Sequence, residues 1–354
     1  MQNIVLCYPV NEAQIEQIAQ TAGSEYKIIS VGQKEIKEAI FDADIFCGHG
    51  KLTGAEGIDW QAVVEKGRLQ WIQSSAAGMD HCLVPATINS PIHVTSASGV
   101  LSDQVAEHTI ALLTGWTRRL KTFVLAESTR DFTRRPTWDL TYRTVLIVGL
   151  GGVGRRLSEL LRPFRGKIMA VDLFPDKVLP PTVDELYPAE ELDSVLPKAD
   201  VVVTCLPLNQ FTRKTFTAER FAKFKKGALF ANMARGALVD HDAMVAALDS
   251  QQLIGAVMDV TDPEPLPPES PLWERPNVLI TPHVAGQSRW RIENMTYMFC
   301  ENLRRWKAGE PLVNYLTRKE LGFPMRGTGH PLWSEIAQDI VPKYRGEMGV
   351  ETFF

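Results

Sequence analysis

The sequence predicts an α/β protein of two domains, each built on a parallel sheet covered by helices. Three observations predict it. A chain of 354 residues is long for one ordinary core and comfortable for two. Short runs rich in Val and Ile alternate with helical patterns along most of its length. One of those runs opens into a glycine-rich turn that leads straight into a helical pattern.

The first series of strand candidates is "NIVLCY" at 3–8, "YKIIS" at 26–30, "DIFCG" at 44–48, "LQWIQSS" at 69–75 and "IHVTS" at 92–96. Between the first two, "EAQIEQIAQTAG" places Ile15, Ile18 and Ala19 on one helical face, and Gly23 stops it. The segment 102–127 reads as one long helix, apolar in its first half, with Ser102 as its N-cap. A second series follows at 144–150, 167–172, 199–208, 228–234, 254–260 and 277–283. These runs are nearly continuous in apolar residues, as strands buried on both faces should be. The proline cluster at 261–271 reads as an ordered loop. The residues after Tyr315 show no clear period and stay unplaced.

A net charge of −4 gives no electrostatic reason to expect nucleic acid or an anionic membrane as partner. The N-terminal run lacks a basic region, and no stretch approaches a membrane span. The five cysteines are scattered without C-x-x-C spacing and read as free, buried thiols of a cytoplasmic protein. The histidines have no metal-ligand spacing, and no metal is expected.

"TVLIVGLGGVGRRL" puts Gly149, Gly151 and Gly154 in the G-x-G-x-x-G spacing. Alone that spacing is weak evidence. Here it follows an apolar strand, opens a helix and precedes a second strand ending in Asp172, the context of a dinucleotide site. Gly149 would allow the tight turn, Gly151 the approach of a pyrophosphate to the helix N-terminus, and Gly154 close helix–strand packing. Asp172 would accept from the ribose hydroxyls and repel a 2′-phosphate, which favours NAD over NADP.

Three further residues fall at or just past strand ends in the second series. "ALFANMARGALVD" runs into Arg235, whose alternative reading is a structural ion pair. "DPEPLP" holds Glu264 between two prolines, otherwise an exposed loop carboxylate. "VLITPHVAG" delivers His283, which alone would read as a satisfied structural histidine. Together they lie at the carboxyl edge where open α/β sheets bind ligands.

These motifs, in this order, resemble the D-isomer-specific 2-hydroxyacid dehydrogenases, which include formate, glycerate and phosphoglycerate dehydrogenases. The likeness spans about residues 45–315 and takes in "LQWIQSSAAGMDH" and "VAEHTIALL". It implies a Rossmann-type NAD-binding domain at 101–289 inserted into a smaller flavodoxin-like substrate domain at 1–100. A return helix at 290–316 and a tail at 317–354 complete the chain. It also implies Arg235, Glu264 and His283 as the catalytic set. His283 would give a proton to the developing alkoxide of a 2-oxo acid, Glu264 would hold the other ring nitrogen, and Arg235 would bind the substrate carboxylate. The turn Ala76-Ala77-Gly78 would hold the same carboxylate through backbone N–H groups. Gly152 and Val153 would supply amides to the pyrophosphate. Met233 and Ala234 would line the nicotinamide, and Asp259 would bond its carboxamide. Leu206, Pro207 and Gly286 complete the implied cofactor set.

His81 and His108 sit in motifs of the resemblance, "GMDH" and "AEH", and read as structural. Departures exist: Asn209 replaces the usual threonine, Tyr142 a glycine, and Leu101 stands where formate dehydrogenases place asparagine. The expectation is an NAD-dependent reductase of small 2-oxo acids, glyoxylate or hydroxypyruvate first, forming (R)-2-hydroxy acids as a homodimer through the coenzyme domain. The alternative is an NAD(H)-sensing scaffold of the same fold, like the C-terminal binding protein corepressors.

Overall fold

The structure is a computed structural model that describes residues 1–50 and 57–345. The chain divides into two compact units. The first holds residues 1–101 and 288–354, and the second holds 102–287.

The first unit carries strands β1 (Gln2–Cys7), β2 (Tyr26–Ser30), β3 (Ile45–Gly48), β4 (Trp71–Ser74) and β5 (His93–Thr95), all parallel, in the order β2-β1-β3-β4-β5. Consecutive side chains leave a strand on opposite faces. Accordingly Ile4, Leu6, Ile45, Cys47 and Trp71 enter one core. Their neighbours Val5, Cys7, Phe46, Ile72 and Val94 enter another. The helix Arg291–Ala308 lies on the first of these cores, where buried Asn302 donates to Gln73 Oε1 at 2.8 Å and accepts from Val313 N at 2.7 Å.

The tail does contain a period. Trp333 and Ile340 are buried in that same core, with Ile336, Ala337 and Val341 against it, on a helix Trp333–Arg345. Their spacing is helical, but an internal Pro342 and the Gly- and Pro-rich approach hide it from a reading of the sequence.

The second unit carries β6 (Val145–Val148), β7 (Ile168–Asp172), β8 (Glu185–Pro188), β9 (Val201–Thr204), β10 (Ala228–Asn232), β11 (Leu253–Met258) and β12 (Val278–Ile280). They form one parallel sheet in the order β12-β11-β10-β9-β6-β7-β8. The order reverses between β6 and β9, the switch point of a Rossmann-type sheet. Again the two faces separate by parity: Leu146 and Val148 enter one core, Val145 and Ile147 the other.

Two expectations need correction. The long helix at 102–127 is two helices, Ser102–Thr117 and Leu120–Ser128. Trp116 is anchored by its Nε1–H to Asn277 O at 2.8 Å, and its ring covers Gly255, where a Cβ would approach to 2.3 Å. The chain then turns at Arg119, whose φ of 56° no helix accommodates. Ser102 is the first residue of the helix, not its cap, and its hydroxyl has no hydrogen-bond partner among the described residues. Strand β8 escapes the sequence reading because it is a half-buried edge strand, "ELYP", without an apolar run.

All five cysteines are free. Burial pushes the Cys205 thiol up to about 12 and Cys300 to about 11, and raises Cys47 and Cys82 as well. None of these four is a thiolate nucleophile near neutrality. Among the described residues no helix is long and apolar enough to cross a membrane, and no group of His, Cys, Asp and Glu is arranged to hold a metal.

Candidate active site

The second unit gathers its functional residues along the carboxyl edge of its sheet. Between β6 and the helix Gly152–Leu161, Gly149 turns with φ 101°, a conformation that disfavours any side chain. A Cβ at Gly154 would strike Gly149 O at 2.2 Å, so helix and turn could not close. Gly151 differs. A Cβ there would meet nothing within 4 Å. Protein packing does not require glycine at that position, but a ligand resting on the helix N-terminus would. The amides of Gly152 and Val153 begin that helix, and its N-cap Gly151 has no side chain to satisfy them. These residues fit a dinucleotide pyrophosphate. Asp172, at the end of β7, accepts from Leu150 N at 2.7 Å and from Phe174 N at 2.9 Å. Its carboxylate is thereby fixed against the glycine turn, where a ribose would lie.

Beyond β9, Cys205 N reaches Val148 O at 2.8 Å, and Thr212 Oγ1 donates to Pro207 O at 2.6 Å. This holds Leu206 and Pro207 beside the glycine turn. Beyond β10, buried Asn232 organises the next turn. It accepts from Thr204 Oγ1 at 2.7 Å and Ala234 N at 3.1 Å, and donates to Arg235 O at 2.9 Å. Met233 and Ala234 are buried, and Arg235 donates through Nη1 to Ala234 O at 2.8 Å. Gly236 then lets another segment in: a Cβ there would lie 2.0 Å from the Thr261 carbonyl. This near-contact carries the loop from Thr261 to Glu264 alongside Arg235.

At the end of β12 the chain presents His283 with φ 54°. Its amide donates to Asp259 O at 2.7 Å and Thr281 O at 3.1 Å. The ring Nδ1 stands 2.6 Å from Glu264 Oε1. Both side chains are 42% exposed, so the imidazole meets its carboxylate at an open face. With Nδ1 donating to Glu264, Nε2 is the ring atom that can give or take a proton. Asp259 is 2% exposed and ties the turn after the histidine: Oδ1 accepts from Val284 N at 3.0 Å, and Oδ2 from Ala285 N at 2.9 Å. Burial opposes its charge, but hydrogen bonds from His108, Thr281 and these two amides outweigh burial and hold it below the usual carboxylate range. Gly286 lies within the turn closed by Gln287 N to Val284 O at 2.8 Å.

Ala76, Ala77 and Gly78 follow β4 in the first unit. Ser74 Oγ accepts from Ala76 N at 3.0 Å, and Ala97 N donates to Ala76 O at 3.1 Å. The sequence reading gave no role to Gly236 or Thr281, and it took His108, in its "AEH" motif, as structural. An Arg-Gly pair after a strand was the available signal for Gly236. Nothing local marks Thr281.

A model of the D-isomer specific 2-hydroxyacid dehydrogenase NAD-binding domain matches residues 110–285. A glyoxylate reductase of Thermofilum pendens is 32% identical over 265 residues, covering 72% of this chain and 76% of its own. The chain belongs to the D-isomer specific 2-hydroxyacid dehydrogenase family. Among solved structures, a member of the same family from Aeromonas salmonicida subsp. salmonicida is 28% identical with a TM-score of 0.74, covering 88% of this chain and 98% of that one. An NADPH-dependent glyoxylate/hydroxypyruvate reductase of Sinorhizobium meliloti, solved with NADP and sulfate, has a TM-score of 0.75. It covers 91% of this chain and all of its own, and at 24% identity it shows the fold alone. Membership makes this an oxidoreductase with a nicotinamide dinucleotide domain.

Proposed function

We propose that this dehydrogenase interconverts small 2-oxo acids and (R)-2-hydroxy acids, glyoxylate and hydroxypyruvate first among them. The 2.6 Å pair of His283 and Glu264, at the same carboxyl edge of the dinucleotide sheet as Arg235, carries the reading. A nicotinamide dinucleotide held by the glycine turn and Asp172 would supply the hydride. His283 Nε2 gives its proton to the carbonyl oxygen as negative charge develops there. Glu264 holds Nδ1–H, which fixes the tautomer and the orientation of the ring. Arg235 binds the substrate carboxylate in its planar fork and polarises the carbonyl. Leu101 stands where formate dehydrogenases place an asparagine, which argues against formate.

NADH is the preferred donor. The Asp172 carboxylate, fixed by two amides, accepts ribose hydroxyls and repels a 2′-phosphate. The helix Leu120–Ser128 and the segment after it leave Leu120, Val124, Leu125 and the fully exposed Phe132 uncovered, a face suited to a second copy.

A panel of 2-oxo acids with NADH, followed by absorbance, tests the activity. No turnover of any short 2-oxo acid would refute it. Equal efficiency with NADPH would refute the cofactor preference, and Asp172→Ala should narrow the gap. Sedimentation as a 39.5 kDa monomer at micromolar concentration would refute the dimer.

A further inference from the structure

We propose that His108 is a positioning residue for His283, acting through Thr281 and the buried Asp259. The inference rests on the reading of His283 as proton donor. His108 lies on the helix Ser102–Thr117, far from the glycine turn in sequence, and its Nε2 stands 2.9 Å from Thr281 Oγ1.

The donors can be assigned by counting protons. Thr281 Oγ1 lies 2.6 Å from Asp259 Oδ1. An ionised carboxylate only accepts, so the single hydroxyl proton of Thr281 points to Asp259. The hydroxyl oxygen must therefore accept from His108, and Nε2 of His108 carries a hydrogen. The same Nε2 is 3.5 Å from Asp259 Oδ1, so whatever positive character the ring has falls on the carboxylate.

Asp259 passes the constraint on. Its two oxygens receive Val284 N and Ala285 N, the two amides directly after His283, and its carbonyl receives the His283 amide at 2.7 Å. The histidine backbone is thus clamped on both sides in a left-handed conformation that a side-chain-bearing residue resists. A carboxylate at 2% exposure can act as a clamp only while donors hold it charged and oriented. Deleting the His108 donor frees the Thr281 hydroxyl to rotate. The Asp259 carboxylate then swings, and the loop carrying His283 loses its fixed aim at Glu264. A displacement of about 1 Å at a reacting group costs on the order of a hundredfold in rate.

The test compares two variants. His108→Leu has similar bulk and no donor. It should lower kcat for 2-oxo acid reduction by about 10- to 100-fold, with the 2-oxo acid KM within about threefold. His108→Gln places an amide N–H at the position of Nε2 and should restore kcat to within about threefold of the parent. In a Thr281→Val background, His108→Leu should cost nothing more, because the relay is already cut. A role in packing alone would make leucine at least as good as glutamine. If leucine prevents folding, His108→Asn, whose amide stops one carbon short, replaces it in the comparison.

A second readout needs no turnover. In NMR of the 15N-labelled histidines, the Nδ1–H proton that His283 shares with Glu264 should be lost in His108→Leu and retained in His108→Gln. Leucine matching the parent, or glutamine failing as leucine does, overturns the proposal. An inactive parent would refute the proposed function while leaving this spectral comparison to decide the role of His108.

Discussion

Gly236 joins two parts of the site, and Gly236→Ala should separate them. A Cβ built on Gly236 lies 2.0 Å from the carbonyl carbon and oxygen of Thr261 and 2.5 Å from Asp262 N. All three are backbone atoms, so no side chain can swing aside. Ordinary contact begins near 3.4 Å, so the two segments must part by about 1.4 Å. Arg235 precedes the glycine directly, and Glu264 lies three residues beyond Thr261. The movement therefore falls on the bond from Glu264 to His283 Nδ1, now 2.6 Å. Adding 1.4 Å would take that pair well outside hydrogen-bond range. Misplacement on this scale costs about a hundredfold in kcat. Overpacking of a tight contact also destabilises the fold by about 1–3 kcal/mol. The assay is kcat and KM for the best 2-oxo acid with NADH, with thermal melting and NADH titration on the same preparation. NADH affinity should change little, because the glycine turn and Asp172 lie beside β6 and β7. If kcat of a folded Gly236→Ala protein stays within threefold of the parent, the close approach does not set the alignment of Glu264 and the reasoning fails.

Gly151→Ala is the reverse case. With nothing within 4 Å of its Cβ, the apo protein should melt within about 3 °C of the parent, as a weakened N-cap allows. NADH Kd, read by fluorescence titration, should rise at least tenfold. Glu264→Ala removes the acceptor of the His283 Nδ1–H and should lower kcat for 2-oxo acid reduction by about 10- to 100-fold with little change in NADH Kd, and a kcat within threefold of the parent would return Glu264 to a surface carboxylate. Asp259 is held below the usual carboxylate range, so its charge stabilises the fold above its unfolded value, and that contribution is lost as pH falls through its folded one. The stability difference between the parent and Asp259→Asn, measured by urea unfolding, should be largest near neutrality and shrink as pH drops below about 4.

Much of this protein is determined by local sequence. The apolar runs that become β6, β9, β10 and β11 are buried on both faces, so a continuous Val- and Ile-rich pattern is enough to mark them. The glycine turn is legible because its requirements, a positive φ at Gly149 and no Cβ at Gly154, are met within a few residues. Arg235, Glu264 and His283 could be placed near strand ends for the same reason. Elements with weak or interrupted patterns were not legible: the edge strand β8, the break at Arg119 and the final helix around Pro342. Pairing was decided only by the tertiary structure. Glu264 Oε1 meets His283 Nδ1 because β11 and β12 are neighbours in the sheet. Gly236 admits Thr261 because β10 lies beside β11. His108 reaches Thr281 across 173 residues because the helix Ser102–Thr117 packs over the end of β12. Periodicity and turn chemistry are properties of a few neighbouring residues. A hydrogen bond between distant ones depends on strand order and on which helix covers which strand, and these follow from packing the whole chain.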